Sequence, residues 1–300
     1  MQTKLYAERR KTLGKNDPDT LLAQYGIGHD HLMLGHYEEA HKILKTVYEL
    51  QHEILGEEDP ETLMTLHDFT IALSEIGHQD KALEIERDIV YAKMRKVLGE
   101  DAPETKEALK EVFRMRRRVL ENKENAFKMF LGSNLYREAL RVARAIYEEK
   151  KDFLGEEDPD TLQSKYKLAA TMAMNRQYDE SLAELKETYE IMKRVFGAYD
   201  SETIATLHMI AMVLDASGKR EEAIKMRRWL VNACLQRDKE NKCLYSTDTI
   251  EAIIKLAEFL RRAGKAADAA NIINWADSLV DEKAPGGAAL KAKISSFKGS

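Results

Sequence analysis

One octapeptide constrains this chain more than any other feature. Leu-Gly-Glu-Glu-Asp-Pro-Glu-Thr begins at Leu55, Leu-Gly-Glu-Glu-Asp-Pro-Asp-Thr at Leu154 and Leu-Gly-Lys-Asn-Asp-Pro-Asp-Thr at Leu13. Weaker copies begin at Leu98 and Phe196, and the most decayed near Lys242, where Thr249 and its context survive. The closing threonines of the six copies, Thr20, Thr62, Thr105, Thr161, Thr203 and Thr249, stand 42, 43, 56, 42 and 46 residues apart. A period of this length signals stacked repeats, each burying its apolar face against its neighbours.

Each unit reads as two helices. Asp before Pro supplies a side-chain oxygen to cap a helix, and proline's missing N–H costs nothing in the first turn. Pro18, Pro60, Pro103 and Pro159, four of the five prolines, occupy this point. Seven and eight residues past the threonine comes a large-then-small pair: Ile27/Gly28, Phe69/Thr70, Leu168/Ala169, Ile210/Ala211 and Leu256/Ala257. The small member lets another helix approach closely. Breaks follow at Gly35, Gly77, Gly218 and Gly264, and second helices open on Ala40, Ala82, Ala139, Ser181, Ala223 and Ala269 at their tight contact. With 44% hydrophobic and 33% charged residues, the 300-residue chain has the core-forming content but little of the Gly/Pro turn vocabulary of an all-β fold.

This layout resembles the tetratricopeptide repeat, in the 42-residue variety of kinesin light chains and nephrocystin-like proteins, over residues 5 to 282. The resemblance implies an all-α, right-handed superhelical solenoid of about six helix pairs, whose first helices line a concave groove. The expected organisation is one array over 1–284, with units starting near 13, 55, 98, 154, 196 and 242 and a tail over 285–300 that is either a short helix or disordered. Residues 1–12 repeat the end of a second helix, so they are either a shortened cap or the remnant of a longer array with neighbouring domains.

The third repeat departs from the others. From Thr105 to Ala139 it takes 34 residues, an insertion within 106–134 that either lengthens the first helix or breaks it near Leu120 to Glu124. Val112/Phe113 places a large ring where other units have a small residue. Here Lys110, Arg114 and Arg118 recur every four residues on one helical face, joined by Arg117. The resemblance assigns those offsets to the groove. This column is either an anion-binding floor or a solvated face neutralised by the acidic linkers. At the groove offsets of other repeats stand Tyr25, His29, His67, Tyr166, Met174, His208 and Met212, an adaptable lining suited to a peptide. Kinesin light chains read Asn-Asn-Leu-Ala there; this chain reads His67-Asp68-Phe69-Thr70 and His208-Met209-Ile210-Ala211, a departure at the residues that grip cargo.

The remaining signals exclude function classes. A formal net charge of −5 argues against nucleic acid or anionic lipid as the main partner. No secretory leader opens the sequence and no apolar run reaches 18 residues, which points to the cytoplasm without a membrane span. His29, His31, His36 and His41 crowd the first repeat, but His29 and His31 are two apart, where a helical metal pair needs three or four, so no metal is expected. Cys234 and Cys243 have no CxxC context and read as free thiols. No catalytic motif and no cofactor signature is present. The expectation is a non-catalytic scaffold that binds a protein or peptide in the groove, acidic or phosphorylated where it meets the basic column. Two alternatives stay open: a ligand-sensing or autoinhibitory array within a larger regulatory protein, and an enzyme whose site is assembled across the groove.

Overall fold

A computed structural model of the chain describes residues 2–241, 245–280 and 286–299, in which every regular element is a helix. Lys242, Cys243 and Pro285 lie outside the described residues. The backbone falls into two compact units, Met1–Asn122 and Lys123–Ser300. In the first, α1 (Gln2–Thr12) precedes the pair α2 (Pro18–Met33) and α3 (Tyr37–Ile54). Next comes α4 (Pro60–Glu75), whose partner is one helical path made of α5 (Gln79–Ile85), a π-helical turn (Glu86–Tyr91) and α6 (Ala92–Val97). Helix α7 (Pro103–Gly132) runs across the division. The second unit holds α8 (Tyr136–Leu154), the pairs α9 (Pro159–Met174) with α10 (Tyr178–Val195) and α11 (Ser201–Ala216) with α12 (Arg220–Glu240), then α13 (Thr247–Arg262) with α14 (Ala266–Leu279), and a final α15 (Gly287–Gly299).

The repeated octapeptide explains where the first helices begin. Asp17, Asp59, Asp158 and Asp200 each accept a backbone N–H two residues on, at 2.9–3.0 Å. The threonine that follows is fully buried in each of these helices. Second helices end in the left-handed backbone that the Leu-Gly pairs supply, with Gly56 at φ 94° and Gly155 at φ 92°. The small positions are closed: Gly28 is buried and Ala169, Ala211 and Ala257 are fully so. A Cβ on Gly28 would stand 2.8 Å from the Leu44 side chain, which is why this crossing takes glycine.

Two departures have local causes. The insertion of repeat 3 is continuous helix, so α7 has 30 residues where α2, α4 and α9 have 16. Its buried face also shifts locally: Glu111 joins Val112 in the interior, and the Phe113 ring, expected to crowd the small position, is 42% exposed. The second departure is the π-helical turn. Ala82 to Leu98 spans one residue more than Ala40 to Leu55 or Ala139 to Leu154, and a single turn of wider i→i+5 bonding absorbs it without breaking the helix. The C-terminal segment is helical, and α15 buries Leu290 and Ile294 against α13 and α14.

Candidate functional site

Aligning the second helices on their tight-contact residue shows one core position, four residues on, that reads Leu44, Glu86, Ala143, Leu185, Arg227 and Ile273. All six are buried. Leucine or isoleucine there fills the space between the two helices of a pair. The three exceptions mark the unusual places of the molecule, and two of them are charges.

In the first unit, Glu86 is 0% exposed at the start of the π-helical turn. Its carboxylate lies 2.6 Å from His67 Nδ1 and accepts the Thr70 hydroxyl. His67 is the residue five past the threonine of α4. Burial opposes its charged form, but the hydrogen bond to Glu86 and the charges of Glu86, Asp68 and Glu111 outweigh it and hold His67 above the usual imidazole range. Adjacent Asp68 is also buried, 2.7 Å from His29 Nδ1. Burial first, and then the nearby Asp68 carboxylate, push the Tyr25 phenol far up. His29 and His67 are thus each held by a carboxylate on either side of α4, with the Tyr25 ring 5.9 Å from that of His29.

The basic column of α7 faces its own acids. Lys110 reaches Glu107 at 2.9 Å, Arg114 reaches Glu111 at 2.9 Å and Glu75 at 3.8 Å, and Arg118 binds Glu75. Glu111 is buried, and its desolvation raises its carboxyl against the lowering effect of Arg114. Three members of the column are therefore engaged within the first unit, while Arg117 is exposed.

In the second unit the predicted residues divide by depth. Met174 and Met212 are exposed on α9 and α11. Tyr166 is half-buried, its phenol pushed up by burial and by the Glu202 charge. His208 is half-buried too, and burial, then Lys255 and Arg227, hold it below the usual imidazole range. Lys255 and His208 line a pocket of about 260 Å³ among α11, α12 and α13. The third exception, Ala143, sits beside a cavity of about 150 Å³ that Phe127, Ile146 and Ser164 also line. The Cys234 thiol is free, buried and pushed up by that burial.

Glu86 and Arg227 escaped the sequence reading, which sought site residues on first helices. The signal lay in the second helices, where a charge interrupts an otherwise apolar column. Among the described residues no three His, Cys, Asp or Glu side chains cluster to hold a metal ion, and no helix is long and apolar enough to cross a membrane.

Two segments match family models of the tetratricopeptide repeat, residues 20–61 and 160–235. No curated protein sequence matches the chain. Among solved structures, the nearly identical TPR-like repeats of a kinesin light chain candidate from Podosopora anserina are 21% identical, with 73% of this chain and 97% of that one covered and a TM-score of 0.33. The Rap protein complexed with competence and sporulation factor is 10% identical, with 92% and 77% covered and a TM-score of 0.43. The apo quorum sensor NprR from B. thuringiensis is 15% identical, with 91% and 80% covered and a TM-score of 0.38. With two segments matched by models of the tetratricopeptide repeat and six copies of one helix-pair signature, the chain carries tetratricopeptide repeats and is built as an all-α repeat solenoid.

Proposed function

We propose that this chain is a non-catalytic interaction scaffold that holds a peptide segment of a partner protein along its first helices. The observation that carries the reading is the set of exposed methionines on these helices: Met33 on α2, Met64 on α4, Met174 on α9 and Met212 on α11. Within each unit, two unbranched thioethers left in solvent on neighbouring repeats make a surface that repacks around irregular apolar side chains. Half-buried Tyr25, Tyr166, His67 and His208 beside them offer polar atoms for a peptide backbone. His29 and the column of Lys110, Arg114, Arg117 and Arg118 border the same face in the first unit, and their internal carboxylates favour a partner that is not uniformly acidic there.

Selection from a random peptide library on the immobilised chain tests the reading. Enriched sequences should bind the wild type and lose affinity by about tenfold for Met174→Asp with Met212→Asp, since charges on a desolvated contact are costly. Selected peptides that bind the double variant unchanged would exclude this face.

A further inference from the structure

Leu44, Leu185 and Ile273 fill the second-helix core column with apolar side chains, and Glu86 and Arg227 fill it with longer charged ones; Ala143 leaves it short. The space left between α7, α8 and α9 is a cavity of about 150 Å³, and all of its walls belong to the second unit. Phe127 lies on the part of α7 beyond the 16 residues of the first helices α9 and α11, so the insertion shapes this cavity as much as the missing side chain does.

The inner wall is apolar. Phe127, Ala143 and Ile146 form it, and all three are buried. Ser164 is buried beside them, but its hydroxyl donates to the Asp160 backbone carbonyl at 2.8 Å, so nothing in the wall calls for a polar occupant. A void of about this size among apolar side chains stays dry and accepts a benzene-sized guest.

The rim is charged, with Glu124, Lys128 and Lys167 around it. Glu124 is already met by Lys150 at 3.0 Å, and that lysine side chain is only 12% exposed. Lys128 on α7 and Lys167 on α9 are exposed, and neither has an ion-pair partner among the described residues. The two ammonium groups therefore outnumber the one carboxylate of the rim, which has its own counter-ion.

We infer that this cavity is a binding site for a small aromatic carboxylate, with the ring in the void against Phe127, Ala143 and Ile146 and the carboxylate at the rim with Lys128 and Lys167. A flat ring complements Phe127 and enters without the rotamer entropy that an alkyl chain of like volume would lose. Flexible lysine stems let both ammonium groups turn toward one carboxylate. The site lies between helices and uses none of the exposed methionines, so it stands or falls independently of the peptide reading.

Titration of the full chain with phenylacetate, its neutral counterpart phenylacetamide, and acetate tests the site, with binding read from the Ala143 and Ile146 methyl signals in NMR and from Tm. Phenylacetate should move both methyls, raise Tm and bind about fivefold more tightly than phenylacetamide, while acetate leaves both readouts unchanged. Ala143→Leu occupies the void and should weaken both aromatic compounds by at least about tenfold. Lys128→Gln with Lys167→Gln leaves the void open and should lower phenylacetate to the affinity of phenylacetamide without changing the latter. Both lysines are exposed, so this variant folds whatever Ala143→Leu does. Absence of phenylacetate binding overturns the site, as does binding that leaves the two methyls unmoved or survives Ala143→Leu. Equal affinity of acid and amide, or a preference that outlasts the double lysine variant, overturns the carboxylate. Acetate binding as tight as that of phenylacetate overturns the ring and leaves only pairing of ions at the surface.

Discussion

Arg176 stands in left-handed backbone at φ 64°, at the turn between the helices of its pair where Gly35, Gly77, Gly218 and Gly264 serve four other repeats and Asn134 the fifth. A Cβ in that region costs about 1–2 kcal/mol, partly offset by the freedom glycine gives the unfolded chain. Arg176→Gly should therefore stabilise the protein by about 0.5–1 kcal/mol in chemical denaturation; a lower midpoint would show that the arginine side chain contributes more than its backbone costs. His67 offers a second test at this scale. Its folded imidazole titrates above its unfolded value of 6.5, so the stability it contributes is complete below that pH and is lost as pH rises through the folded value. The wild type should lose stability across the range just above 6.5 relative to His67→Gln, and parallel pH profiles for the two would remove Glu86 as its effective partner.

At the scale of helices, the same column of second-helix positions predicts opposite outcomes at different sites. Ala143 leaves about 150 Å³ where Leu185 and Ile273 fill theirs, so Ala143→Leu should gain about 1–2 kcal/mol. A loss would mean that Phe127 of the lengthened α7 already limits the space. How much of this was legible beforehand differs by element. Helix starts, breaks and the small crossings at Ala169 and Ala211 follow from local chemistry, an Asp oxygen, a proline ring or a missing side chain, and local chemistry is written in the sequence. The pairing of Arg114 and Arg118 with Glu75 is not, because the spacing that placed the cations on one face says nothing of which acid the neighbouring helix turns toward them. The π-helical turn lay between: the 43-residue step from Thr62 to Thr105 showed one residue too many, but only the folded helix shows that it is absorbed next to Glu86 rather than at a loop.

For the whole molecule, helices contact mainly their neighbours in sequence, as in α2 with α3 and α13 with α14. Stability in such a chain is a sum of local terms, and damage stays local. Ala211→Leu, which forces an oversized side chain into a closed crossing at a cost of about 1–3 kcal/mol, should lower hydrogen-exchange protection in α10 to α13 and leave α2 to α4 unchanged. Uniform loss would mean that the chain unfolds as one cooperative body. The central claim, that partners lie along first helices, is tested most directly by site-specific photo-crosslinking. A crosslinking residue is placed at Met174 or Met212 on first helices, or at the comparably exposed Trp229 or Trp275 on second helices, and each is challenged with a library-selected peptide. The account predicts crosslinks from Met174 and Met212 and none from the two tryptophan positions; the reverse pattern would contradict it.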